Sequence, residues 1–116
     1  VTAADLEFPL DFGSGVRACW TSWVPDRELN PQYEGIPDVE RWGMILDHPD
    51  ARDPAQRCSS GITFAGPVQA QLEPGRPVWQ VESWEPLTLS PSILCSVDKG
   101  GCGLHGYIRQ GLWVPA

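Results

Sequence analysis

Lysine is almost missing from this chain. One lysine (Lys99) stands against seven arginines, and there is a single asparagine, Asn30. Depletion of AT-rich codons accounts for both, which points to a GC-rich genome such as that of an actinobacterium or its phage. With a net charge of −7 and no cluster of basic residues, the chain lacks what a phosphate backbone requires, so nucleic acid is excluded as a partner. The acidic balance favours solubility and basic partners without specifying one. Long apolar runs are also missing, which argues against a secretory core, a membrane span and a membrane partner. The expected location is therefore a reducing one, the cytoplasm of a bacterial host or a virion, where thiols stay free or bind metal. The sequence opens on Val1, so it is either a trimmed fragment or a GTG start written literally. The glycine-rich run 100–106 has neither the lysine nor the following helix of a phosphate loop, which excludes nucleotide binding of that kind. No repeat, heptad pattern or low-complexity tract is present.

Proline, glycine and tryptophan are abundant instead. Twelve prolines and twelve glycines, spread from Pro9 to Pro115, leave no room for a long uninterrupted helix. Six tryptophans in 116 residues offer large apolar surfaces that more often build a core than stack sugars or bases. The length suits a single domain, 1–116, able to bury roughly two-thirds of the surface its unfolded chain exposes. The expected fold is mainly β, with a small α+β arrangement as the alternative: a compact domain of short antiparallel strands and hairpins joined by long ordered loops.

Alternation around Leu6, Phe8, Leu10 and Phe12 makes 1–15 an extended arm broken by Pro9. Residues 16–24 read as a strand rich in β-formers. Segment 25–37 reads as an irregular loop. Segment 38–46 fits a helical turn or two capped by Asp38, or equally a strand. Segment 47–56, with His48, reads as a polar loop, and 47–50 as a solvated turn. Short strands are expected at 62–64 and 68–72. Further strands are expected at 78–84, 87–89, 93–95, 104–108 and 112–114, the last two joined by a tight hairpin at Arg109-Gln110-Gly111.

Reactive residue types concentrate between Ser90 and His105. A serine hydroxyl becomes a nucleophile when an imidazole takes its proton, so Ser92 and His105 form one candidate pair. Asp98, Glu82 or Glu85 would orient the imidazole, and the backbone of Gly100 to Gly103 is the candidate oxyanion site. The same histidine fits a second chemistry. Cys102 and His105 have the short spacing of two zinc ligands, with Cys95 as a third, and a fourth would come from Cys58, Cys19 or His48. A Cys95–Cys102 disulfide, two buried free thiols, and a cysteine nucleophile paired with His105 are the remaining options. The cofactor expectation is accordingly none, or a structural zinc.

The segment Pro91-Ser92-Ile93, a following cysteine, and His105-Gly106-Tyr107-Ile108-x-x-Gly111-Leu112-Trp113 resemble the BubE-like family of small bacterial and phage proteins, over about 78–113. Members of bacterial ubiquitin-like operons are regarded as peptidases acting on the ubiquitin-like protein. The resemblance implies Ser92 as nucleophile and His105 as base, with a protein or peptide as substrate. The Arg109-Gln110 turn departs from the Asn or Asp often placed before that glycine. The cysteines Cys95 and Cys102 resemble a phage-type subgroup. The alternative function is accordingly a non-enzymatic interaction or virion component, of capsid or tail, with other virion proteins as partners.

Overall fold

The computed structural model describes residues 7–116, so the expected extended arm lies outside the described residues over 1–6. The fold is mainly β, in three antiparallel sheets. The first holds β1 (Leu10–Asp11), β2 (Arg17–Trp23), β3 (Val39–Pro49) and β4 (Arg57–Thr63) in that order. A short helix, α1 (Pro67–Leu72), leads to the hairpin of β5 (Gln80–Trp84) and β6 (Leu87–Ser90). The third sheet is β7 (Ile93–Leu94), β8 (His105–Arg109) and β9 (Leu112–Pro115). A single buried cluster draws on all three sheets: Phe12, Val16, Ala18, Met44, Leu46, Ile62 and Phe64 with Leu87, Leu89, Ile93, Ile108 and Trp113.

Residues 38–46 resolve in favour of the strand. β3 is paired on both sides, to β2 and β4, and this ladder outweighs any local helical turn at Asp38. It also runs further than the sequence indicated. Residues 47–49 belong to the strand rather than to a polar loop, and His48 is 1% exposed. The reason is phase: Met44, Leu46 and His48 occupy alternate positions on the buried face of β3. The residues between them, Ile45 and Asp47, take the opposite face. There Asp47 accepts hydrogen bonds from Arg17 and Arg57 on the two flanking strands. The expected strand at 68–72 is instead α1, where Pro67 occupies the first turn, whose N–H groups have no partner within the helix.

The aromatic residues are mostly structural. Trp20, Phe64 and Trp84 pack edge to face, Trp23 stacks on Trp42, and Trp113 is buried. Trp79 has a more specific place. Its backbone bonds to Thr63 and Ala65 at the end of β4, while its indole N–H donates to the Ser92 carbonyl at 3.2 Å. The first sheet thereby holds the entrance to the third.

The β8–β9 turn is the tight hairpin expected from the sequence. Gln110 and Gly111 both have positive φ, 52° and 74°, as a two-residue hairpin loop of this hand requires. Gly111 N–H donates to the Leu87 carbonyl and Gln110 N–H to Thr88 Oγ1, which docks the turn on β6. In β8, Gly106 lies against Trp113, and a Cβ there would overlap the indole. Only glycine lets that ring close over the strand.

Candidate functional site

Strand parity decides what the third sheet presents to solvent. β7 and β8 pair with Ile93 opposite Gly106 and Leu94 opposite His105. Side chains alternate faces, so Ile93, Gly106 and Ile108 point into the core. Ser92, Leu94, His105 and Tyr107 share the outer face, with Ser92 and His105 as diagonal neighbours across the strands. Ser92 Oγ lies 2.9 Å from His105 Nε2. Ser92 is half-buried, His105 is exposed, and Leu94 beside them is 53% exposed. Next to the pair, a shallow cleft of about 260 Å³ is lined by Glu82, Ser90, Pro91, Tyr107 and Arg109 among others. The Arg109 guanidinium stacks over the Tyr107 ring at 3.9 Å.

The other expected members of this site are placed differently. Asp98 is exposed, in a 3-10 turn spanning Val97–Lys99. Among the described residues no carboxylate, from Asp98, Glu82 or Glu85, hydrogen-bonds the imidazole of His105. The backbone of Gly100 to Gly103 is not an oxyanion site. Its N–H groups are committed within the loop: Gly100 to the Val97 carbonyl, Gly101 to Ser96, Gly103 to Cys95, and Cys102 to Cys95 Sγ. The loop uses its glycines to fold back on itself.

What it folds around is a second constellation, on the inner side. The same parity that turns Ser92 and Leu94 outward turns Ile93 and Cys95 inward. There Cys95 meets Cys102, Cys58 and His48, whose donor atoms all lie within 4.8 Å of one another. Cys58 Sγ is 3.7 Å from Cys95 Sγ, and Cys102 Sγ is 4.0 Å from His48 Nδ1. His48 and Cys58 face each other directly across the β3–β4 ladder. The other ring nitrogen of His48, Nε2, lies 3.0 Å from Ser60 Oγ, and Nδ1 lies 2.9 Å from the Pro49 carbonyl oxygen. All four cysteines are free thiols, and Cys19 stands apart from this group. His105 is not a member: the histidine beside Cys102 is His48.

The thiols of this cluster do not ionise alike. Burial opposes ionisation of Cys95, but hydrogen bonds from Ser60, the Cys102 N–H and the neighbouring thiols outweigh it and hold Cys95 below the ordinary thiol value. Burial pushes Cys58 up to about 11, reinforced by its hydrogen bond to Cys95 and the charge there. The two neighbouring thiols are thus shifted in opposite directions, Cys95 down and Cys58 up.

An imidazole hydrogen-bonded to a half-buried serine hydroxyl on an exposed strand face is the side-chain pairing of serine hydrolases. A family model supports that class from the sequence side. The chain belongs to the BubE family, described as the serine protease of a bacterial ubiquitination-like system, whose model matches residues 36–116. The match covers more than half of the chain. It reaches well before residue 78, where the resemblance first became visible, and takes in β3 and β4 with His48 and Cys58. No curated protein and no solved structure matches the chain.

Cys58 and His48 are visible in the sequence only as two of three alternatives for a fourth ligand. Cys58 had no recognisable spacing to Cys95, because strand pairing rather than a short loop brings it close. His48 was assigned to a solvated turn, yet its phase with Met44 and Leu46 marks it as inward.

Proposed function

We propose that this protein is a serine-type peptidase with Ser92 as nucleophile and His105 as general base, acting on a carbonyl at the outer face of β7 and β8. The observation that carries the proposal is the 2.9 Å separation of Ser92 Oγ and His105 Nε2, which lies within the reach general-base catalysis requires. Ser92 Oγ attacks the substrate carbonyl carbon as its proton passes to His105 Nε2. The resulting tetrahedral intermediate collapses as that proton moves to the leaving amine, and the C–N bond breaks. Water then attacks the acyl-serine by the same route, releasing the acid and restoring the hydroxyl.

With Gly100 to Gly103 occupied, the oxyanion donor nearest the chemistry is the N–H of Ser92 itself. The pair acts as a dyad. Trp79 holds the Ser92 carbonyl and serves as a positioning residue. Leu94 and the cleft containing Tyr107 and Arg109 suit an extended peptide lying along the exposed face. The family's description points to a ubiquitin-like protein, or a conjugate of one, as the substrate.

A fluorophosphonate probe tests the assignment, because it reacts covalently with an activated serine. The intact protein is expected to be labelled at Ser92, with labelling lost in Ser92→Ala and strongly reduced in His105→Gln. Equal labelling of the intact protein and Ser92→Ala, or no labelling of either, overturns it. The latter result favours the alternative of a non-catalytic interaction or virion component using the same exposed face.

A further inference from the structure

We infer that His48, Cys58, Cys95 and Cys102 form a closed, structural zinc site that fastens the β7–β8 loop to the first sheet. Four donors converge here from distant parts of the chain, and their donor atoms lie within 4.8 Å of one another. Zinc takes four such ligands tetrahedrally, at about 2.3 Å to sulfur and 2.0–2.1 Å to nitrogen. Tetrahedral angles then require separations of about 3.8 Å between two sulfurs and about 3.6 Å between sulfur and nitrogen. The observed 3.7 Å between Cys58 and Cys95, and 4.0 Å between Cys102 and His48, match to within a few tenths of an ångström. Thiols acting only as small hydrophobes have no reason to turn their sulfurs toward one centre and toward an imidazole nitrogen.

The surroundings are built in the same sense. The Cys102 N–H donates to Cys95 Sγ at 3.3 Å, an arrangement that favours a thiolate. It depends on a tight loop in which Gly103 N–H reaches the Cys95 carbonyl and Cys95 N–H reaches Leu104. Gly101 is required there, because a Cβ would lie 2.6–2.7 Å from the backbone and Sγ of Cys95. His48 Nε2 lies 3.0 Å from Ser60 Oγ, a hydroxyl able to accept from Nε2–H once Nδ1 gives its lone pair to the metal. Such a partner on the far side of the ring is general for metal-bound histidine. Without metal, the 2.9 Å contact of Nδ1 with the Pro49 carbonyl requires an N–H at Nδ1; with metal bound, the ring proton resides on Nε2 and Nδ1 turns to the ion. Three thiolates and one zinc leave a charge of −1 at the site.

With all four positions taken by protein, the site has no place for a catalytic water and its role is mechanical. Two ligands come from the β3–β4 hairpin, one from the end of β7, and one lies three residues before His105. The metal therefore ties the β7–β8 loop to the first sheet, while the β7–β8 ladder itself sets His105 beside Ser92.

Elemental analysis of the full chain, purified without chelator, is expected to give about one zinc per chain. Cobalt in its place is expected to give the intense visible bands of a tetrahedral thiolate site. Zinc added to chelated, reduced protein is expected to shield the cluster thiols from a thiol reagent and leave Cys19 reactive. His105→Ala and Cys19→Ser are expected to keep the metal, and Cys58→Ser to lose it. The shielding measurement uses unaltered protein and stands even if Cys58→Ser fails to fold. Absence of stoichiometric metal, iron in its place, thiols that zinc does not shield, metal loss in His105→Ala, or a Cys58–Cys95 disulfide in freshly purified protein would each overturn the assignment. None of these readouts depends on peptidase activity.

Discussion

The two faces of the β7–β8 unit hold two histidine sites that differ in every physical respect. On the outer face His105 meets one hydroxyl, in contact with solvent. On the inner face His48 meets three thiols, away from solvent. Along the chain they interleave: Ser92 then Cys95 on the way in, Cys102 then His105 on the way out. An exposed imidazole can exchange protons with water and substrate, which catalysis needs. A buried one surrounded by sulfur can do so only poorly, but it can hold a cation without competition from water. Burial, rather than residue type, separates a proton carrier from a ligand.

If the outer site is chemical and the inner one mechanical, substitutions should divide cleanly. Ser92→Ala is expected to lower peptide turnover at least about 10⁴-fold, with a thermal midpoint within a few degrees of the unaltered protein. Steady-state kinetics and calorimetry on the same preparation check both halves. Cys102→Ser is expected to do the reverse. Metal is lost and stability falls by more than about 3 kcal/mol, as read by urea unfolding, with activity falling only as the folded fraction does. If Cys102→Ser lost turnover while keeping its stability, the division of roles would be wrong.

The frame shared by the two sites can be probed with smaller effects. Gly106→Ala forces a methyl into the Trp113 ring and is expected to cost about 1–3 kcal/mol. Because Gly106 follows His105, labelling at Ser92 should drop as well, and probe kinetics on the folded fraction reads that loss. The smallest effect is expected at the β8–β9 turn, on the rim of the cleft beside Ser92. Gln110 adopts a left-handed conformation with φ 52°, which asparagine tolerates better. Gln110→Asn should therefore stabilise the hairpin by roughly half a kcal/mol, measurable by chemical denaturation.

Much of this was legible in the sequence, unevenly along the chain. From residue 78 onward, short strands bounded by proline and glycine gave the element order and the tight hairpin, because local alternation and turn chemistry dominate there. The pairing of Ser92 with His105 was visible as one of two options. The first half was harder. His48 sits in a segment dense with Asp and Pro, and its place in a strand follows from pairing on both sides of β3, which is not local information. Helix α1 was read as a strand because Val68 to Leu72 is too short for its periodicity to show.

The sequence by itself determined a mainly β chain without a basic surface, and its resemblance to a peptidase family. It also determined that the reactive residues flank one loop. Composition, turn residues and short-range alternation are properties of neighbouring residues, and these suffice for such conclusions. Only the tertiary structure decided which histidine faces which partner. Strand register places His48 opposite Cys58, residues separated by a polar loop, and the parity of β7 sends Ser92 outward and Cys95 inward. Register is a choice between whole strands and is fixed by the burial of many side chains at once. For that reason no single spacing in the sequence could reveal it.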